Sequence, residues 1–252
     1  MSHFTDSPAA SPGNSASLAQ AQAWRPGPDL TGPASSNVGH GEVFASAREG
    51  AGAAFALALA QDRLRAGAPG PLAASVRDWP DQRMWLWVQD KEALRRTGRP
   101  YRPGLPRILR HRLIHVAAAS AEDALFALEE GLRCRELAFV IGEIAGNPKA
   151  LSFTAHRRLS LAAQRHGVPL WLVRLDAARD LSSARMRWQA QAALSAPPRW
   201  NRQAPGAPRW RAELFRSRGH PPGEWLLGEE EGKLVAHTLP APNTPLGERA
   251  IA

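Results

Sequence analysis

Four short apolar runs, separated by stretches of helical periodicity, restrict the fold more than any other feature of this chain. Residues 84–88 (MWLWV), 113–117 (LIHVA), 138–141 (AFVI) and 170–175 (LWLVRL) read as strands. Runs that are apolar on both faces suit strands covered on both sides, the usual state of a parallel sheet. The intervening segments read as helices. Ser120 opens one, with Asp123 three residues on as a variant capping box and Leu125, Leu128 and Leu132 as its apolar stripe. Residues 154–166 form another, closed by Gly167 with Pro169 beyond. Residues 43–66 read as a helix with a turn-like start. Phe55, Leu57, Leu59 and Leu64 fall on more than one face of it, so it should be largely buried. After Ser183 the period changes to two: residues 187–193, 209–216, 224–227 and 234–238 alternate, with 218–223 as a hairpin turn. The expected fold is an α/β core with a mostly parallel sheet flanked by helices, ending in an antiparallel strand segment at one edge.

The 252 residues suit one large domain with tails. Residues 1–39 are rich in Ser, Pro, Gly and Ala and cannot bury enough surface to offset ordering, so a disordered tail is expected. The domain should run over 40–239, with a Pro-rich loop at 195–208 and a flexible tail at 240–252. No stretch approaches the roughly 18 uninterrupted apolar residues of a membrane span. No secretory signal is visible, and one cysteine, Cys134, permits no intrachain disulfide, so a cytoplasmic protein is expected. Cys134 reads as packing near a helix end rather than as a reactive thiol. The formal net charge is +9, carried almost wholly by arginine. Arginine favours phosphate and acidic partners through bidentate contacts, although a GC-rich genome also yields this bias.

A phosphate-binding loop reads G-x-x-x-x-G-K-[ST]: its amides cradle phosphate, its Lys neutralises charge and its hydroxyl ligates magnesium. The equivalent place here, between a short strand and the first buried helix, runs from Ala47 to Ala54. Four residues separate Ala47 from Gly52, so the spacing survives. Ala53 stands at the Lys position and Ala54 at the hydroxyl position, and neither can hold phosphate or a hard cation. Taken alone, the stretch also reads as an ordinary buried helix start.

The order of elements over 41–238 resembles the RecA fold, in which the phosphate-loop helix precedes a strand ending in a catalytic acid and, later, a Walker B strand. Residues 84–94 (MWLWVQDKEAL) resemble the first of those strands and 137–146 (LAFVIGEIAG) the second. More narrowly, HGEVFA (40–45), LWVQDKEALRRTGRPYRPGL (86–105), DALFALEEGLRC (123–134), SSARMRW (182–188) and GAPRWRAELFRSRGHPPGEW (206–225) resemble the ImuA family of bacterial mutagenesis cassettes. The resemblance implies a RecA-like core with a degenerate loop, no cofactor and no catalytic residues. It puts Gln89 where an acid would activate water, with Asp90 next to it, and Gly142 or Glu143 at the Walker B position. Glu143 also reads as a carboxylate at a helix start. The implied role is a non-enzymatic one in the SOS response and translesion synthesis, with RecA, ImuB and an error-prone DnaE-type polymerase as partners.

Two segments concentrate positive charge. Residues 83–112 hold nine basic side chains against Asp90 and Glu92. Residues 185–218 hold Arg185, Arg187, Arg199, Arg202, Arg209, Arg211, Arg216 and Arg218 against Glu213, interleaved with Trp188, Trp200 and Trp210. Arginines along a backbone with aromatics stacking on bases are how single strands are held without sequence preference. By resemblance, the DNA-facing loops of RecA-type proteins lie in this late part of the core. Trp188, Trp210 and Trp225 also read as core residues, and the arginines suit DNA or an acidic protein partner equally. An ATP-dependent recombinase-like activity remains the competing reading. His111 and His115 flank a helix-to-strand change, and the other histidines are scattered, so no metal site is expected.

Overall fold

The computed structural model describes residues 39–66, 81–218, 221–230 and 233–237. Nine strands form one sheet: β1 (His40–Ala45), β2 (Met84–Gln89), β3 (Leu113–Ala117), β4 (Leu137–Ala145), β5 (Leu170–Leu175), β6 (Met186–Ala193), β7 (Arg209–Ser217), β8 (Gly223–Glu230) and β9 (Lys233–His237). Their order is β3-β2-β4-β5-β1-β6-β7-β8-β9. The first six pair in parallel and the last four antiparallel, β6 belonging to both sets. The helices are α1 (Ala51–Ala66), α2 (Lys91–Thr97), α3 (Arg107–Arg110), α4 (Ala121–Arg133) and α5 (Phe153–His166).

The four apolar runs are strands, and the α/β class with its antiparallel ending is as expected. The helix expected over 43–66 begins only at Ala51; residues 40–45 form β1 instead, buried along its whole length between β5 and β6. A continuous buried strand and a buried helix start look alike in an apolar run this short. β4 extends through Glu143 to Ala145, so Glu143 lies within a strand and not at a helix start. Residues 219 and 220 of the expected hairpin turn, the 1–38 part of the expected tail and residues 238–252 lie outside the described residues.

Two cores hold the layers together. α1 packs with the side of the sheet carrying Trp85, Trp87, Phe139, Ile141, Trp171, Val173 and Trp188. Leucines of α4 and α5 pack with Leu86, Val88, Val140, Ile144, Leu170 and Leu172 on the other side. α1 also reaches β9, where the buried Asp62 carboxylate accepts the Leu234 N–H at 3.0 Å. The expected burial of α1 follows from this span, since it crosses both the parallel and the antiparallel halves. The helix ends obey their local chemistry. Ser120 and Ser152 side chains accept the amides of Asp123 and Ala155, and Gly167 closes α5 at φ 73°. Cys134 caps α4 but is exposed, contrary to the packing expected of it.

The carboxyl ends of β1, β2, β4 and β5 gather at one edge of the sheet, because these strands run parallel. β1 sits between β5 and β6, and the chain leaves it for the distant β2. That makes the end of β1 a topological switch point, the position where open α/β sheets hold ligands.

Candidate functional site

The loop at the end of β1 is closed on itself. The Ala47 N–H donates to the Asp176 carboxylate at 3.1 Å, the Arg48 N–H to the Ser46 hydroxyl at 3.2 Å, and the Glu49 N–H to the Ser46 carbonyl at 3.3 Å. Glu49 in turn accepts the Ala192 N–H from β6 at 2.9 Å. Asp176 adopts a left-handed φ of 48° to reach Ala47 and also holds Arg96 at 2.9 Å. Its pKa is lowered, chiefly by the Ala47 amide. Gly52 is a packing residue: a Cβ there would stand 2.7 Å from the Ala45 Cβ and 3.0 Å from a Val173 methyl. Ala53 packs at the margin of the core and Ala54 faces solvent.

The two acid positions behave differently from each other. Gly142 faces α4, where a Cβ would approach Leu128 and Leu172 to 2.9 Å. Glu143 points to the opposite side and is 2% exposed. Gln89, its register partner, donates through Nε2 to Glu143 Oε2 at 2.6 Å, and the Trp87 indole donates to the same oxygen at 3.1 Å. Gln89 Nε2 also lies 3.0 Å from the Gly98 carbonyl. Burial pushes the Glu143 carboxyl up to about 7. Asp90 is an N-cap, its carboxylate accepting the Ala93 N–H at 2.6 Å.

The 185–218 segment divides between core and surface. Trp188 packs edge-on against Phe55 and Trp225, and Trp210 packs against Phe55. Both are buried, as is Arg187. These three are withdrawn from any surface. Arg185 and Arg209 are half-buried, whereas Arg199, Arg202, Arg211, Arg216 and Arg218 are exposed. Trp200 is 81% exposed between Arg199 and Arg202. Arg211 is paired with Glu224 on β8. In the 83–112 segment many charges serve the fold: Arg83 binds Asp81, and Arg95 and Arg96 bind Glu92.

No family model matches the chain. The protein is 35% identical over 130 residues to Protein ImuA of Caulobacter vibrioides, in strains NA1000 / CB15N and ATCC 19089 / CIP 103742 / CB 15. The match covers 48% of this chain, and the chain spans about half the length of the ImuA relatives it matches.

The structure also contains a buried ion cluster that sequence reasoning missed. His40 and Glu42 of β1, His156 of α5, Arg174 of β5 and Arg187 of β6 are all buried and meet beneath α5. Arg187 Nε donates to Glu42 at 2.5 Å, and Arg174 lies 3.8 Å from the same carboxylate. Asp180 holds Arg174 at 3.2 Å. The His40 and His156 rings, read as scattered from sequence, stack with centroids 5.7 Å apart. Burial lowers His40 to about 3 and His156 to about 4, so both rings are neutral at pH 7. His40, Glu42 and His156 have the donor atoms of a metal site. The two guanidiniums already balance Glu42 and Asp180, which leaves no negative charge to hold a cation. The signal available in the sequence was a charge inside each buried strand: Glu in HGEVFA and Arg in LWLVRL.

Proposed function

We propose that this chain is a RecA-like binding protein of a damage-induced mutagenesis cassette, acting in translesion synthesis without hydrolysing ATP. The observation that carries the reading is the occupied loop. The amides of Ala47, Arg48 and Glu49 are taken by Asp176 and Ser46, and Ala53 and Ala54 supply neither cation nor hydroxyl. Glu143, the acid at the candidate Walker B position, is buried and held by Gln89 and Trp87. The ImuA similarity and the RecA-like order of strands and helices support the same reading. Its mechanism is docking: a RecA-shaped surface engages RecA, an ImuB-type protein or a DnaE-type polymerase.

Two measurements test it. Purified protein should retain at least one of these partners in a pull-down and turn over no ATP above background with single-stranded DNA present. Saturable hydrolysis that disappears in Glu143→Gln would defeat the non-enzymatic part. Binding to none of the three partners would defeat the docking part. A second reading, direct single-strand binding, draws on Trp200, which is exposed between Arg199 and Arg202.

A further inference from the structure

A second cationic feature lies at the opposite edge of the sheet. A cleft of about 290 Å³ opens between the loop after α2 and the edge strand β3, lined by Arg99, Pro100, Arg102, Leu113 and His115. No acidic residue lines it. Arg99 makes no ion pair or hydrogen bond among the described residues. Arg102 donates to the Leu113 carbonyl at 3.3 Å, which uses one of its five donors and holds it over the cleft. These charges therefore lack the acidic neighbours that neutralise Arg83, Arg95 and Arg96 in the same segment.

His115 is fixed in a defined orientation. Gln89 donates its amide to Glu143 and the Gly98 carbonyl, so its Oε1 is an acceptor. His115 Nε2 lies 2.8 Å from that oxygen and must be the donor. Nδ1 is the ring nitrogen left over: an acceptor in the neutral ring and a donor in the cation. Burial lowers the His115 pKa, and the charged groups facing the ring, Arg99 and Arg102, lower it further. An anion between the guanidiniums would reverse that influence and supply the charge that a protonated ring needs.

We propose that this cleft binds the phosphate of a phosphomonoester through Arg99, Arg102 and His115. Two guanidiniums and an ionisable imidazole match a dianion, whereas a single carboxylate would leave positive charge uncompensated. The volume lies at the low end for small-ligand pockets, so the phosphate and little more is enclosed. This site does not depend on the partner docking proposed above.

The test is titration calorimetry and NMR of the histidine rings, using inorganic phosphate and deoxyadenosine 5′-monophosphate. Saturable binding is expected near pH 7.5, about tenfold tighter than acetate, with the His115 signal titrating at higher pH when ligand is bound. Arg99→Ser with Arg102→Ser should abolish it while leaving the thermal melt unchanged, since both side chains are exposed. His115→Gln should keep binding near pH 7.5 and lose it more steeply than the parent as pH falls to 6, because no imidazolium then offsets protonation of the phosphate. Oligonucleotides with a 5′-phosphate or a 5′-hydroxyl separate the sources: preference for the phosphorylated end assigns the site to DNA termini, and equal binding of both alongside binding of the mononucleotide assigns it to free phosphate esters. Absence of saturable binding by phosphate and mononucleotide, or binding that survives the double arginine change, overturns the proposal.

Discussion

At the scale of single residues, Glu143 separates a catalytic acid from a buried one. A carboxyl that ionises in water near 4.5 titrates at about 7 inside this sheet, because burial outweighs the hydrogen bonds from Gln89 and Trp87. Between those two values the folded chain holds a proton that the unfolded chain has released. Stability contributed here is therefore lost as pH rises from 4.5 through 7. Glu143→Gln removes the titration and retains a carbonyl acceptor for both donors. It should raise stability at pH 8 by about 1–3 kcal/mol and change it little at pH 5, read from urea melts at the two pH values. Which residue would stand at a Walker B position was legible in the sequence only to within one position. Gly142 and Glu143 project to opposite sides of β4, and the strand pattern does not say which side carries α4. Trp188 and Trp210 were legible as core because they alternate in strands, while Trp200 stands apart in a proline-rich loop. The exposure of Cys134 was not legible, since a helix end near the surface and one beneath it have the same local sequence.

At the scale of elements, the strands were readable and their charged interior was not. Continuous apolar runs specify burial on both faces, but His40, Glu42 and Arg174 become compatible with burial only through a third strand and a helix far along the chain. Pairing at such sequence distance leaves no periodic trace. The cluster makes two predictions. Arg187→Met should cost about 3–5 kcal/mol, because Glu42 is left buried with Arg174 as its nearest cation at 3.8 Å. Glu42→Leu combined with Arg187→Met should recover much of that loss, since Arg174 and Asp180 still balance. Additive losses in the double-mutant cycle would show that the pair does not act as a unit. Acid acts on the same cluster through histidine. His40 and His156 titrate at about 3 and about 4 in the fold and near 6.5 when unfolded. As pH falls from 6.5 to 4 the unfolded chain gains protons that the folded chain refuses. Stability should drop by about 1.4 kcal/mol per unit for each histidine in that window. His156→Gln should flatten the acid limb of a pH–stability curve; an unchanged limb would assign acid sensitivity elsewhere.

Across the whole molecule, positive charge is arranged by topology rather than spread evenly. The cleft at β3 and the exposed loop between β6 and β7 lie on opposite sides of the central strands, because four strands separate β3 from β6. A single nucleic acid strand held by the 185–218 segment would meet Arg199, Trp200, Arg202, Arg209 and Arg211, not the buried Arg187, Trp188 and Trp210. The two kinds of contact respond to different changes. Arginine contacts release counterions, so affinity should fall steeply with salt, and Arg209→Ala with Arg211→Ala should weaken binding and reduce the slope by about 1–2. Arg211 already pairs with Glu224, so its share should be the smaller of the two. Trp200→Ala should instead lower affinity by about 1–3 kcal/mol at every salt concentration, as loss of a stacked base does, without altering the slope. Gel shifts with a short oligonucleotide over a salt series distinguish the two. Binding that ignores salt and all three substitutions would remove this face as a single-strand site, leaving its arginines for an acidic protein surface.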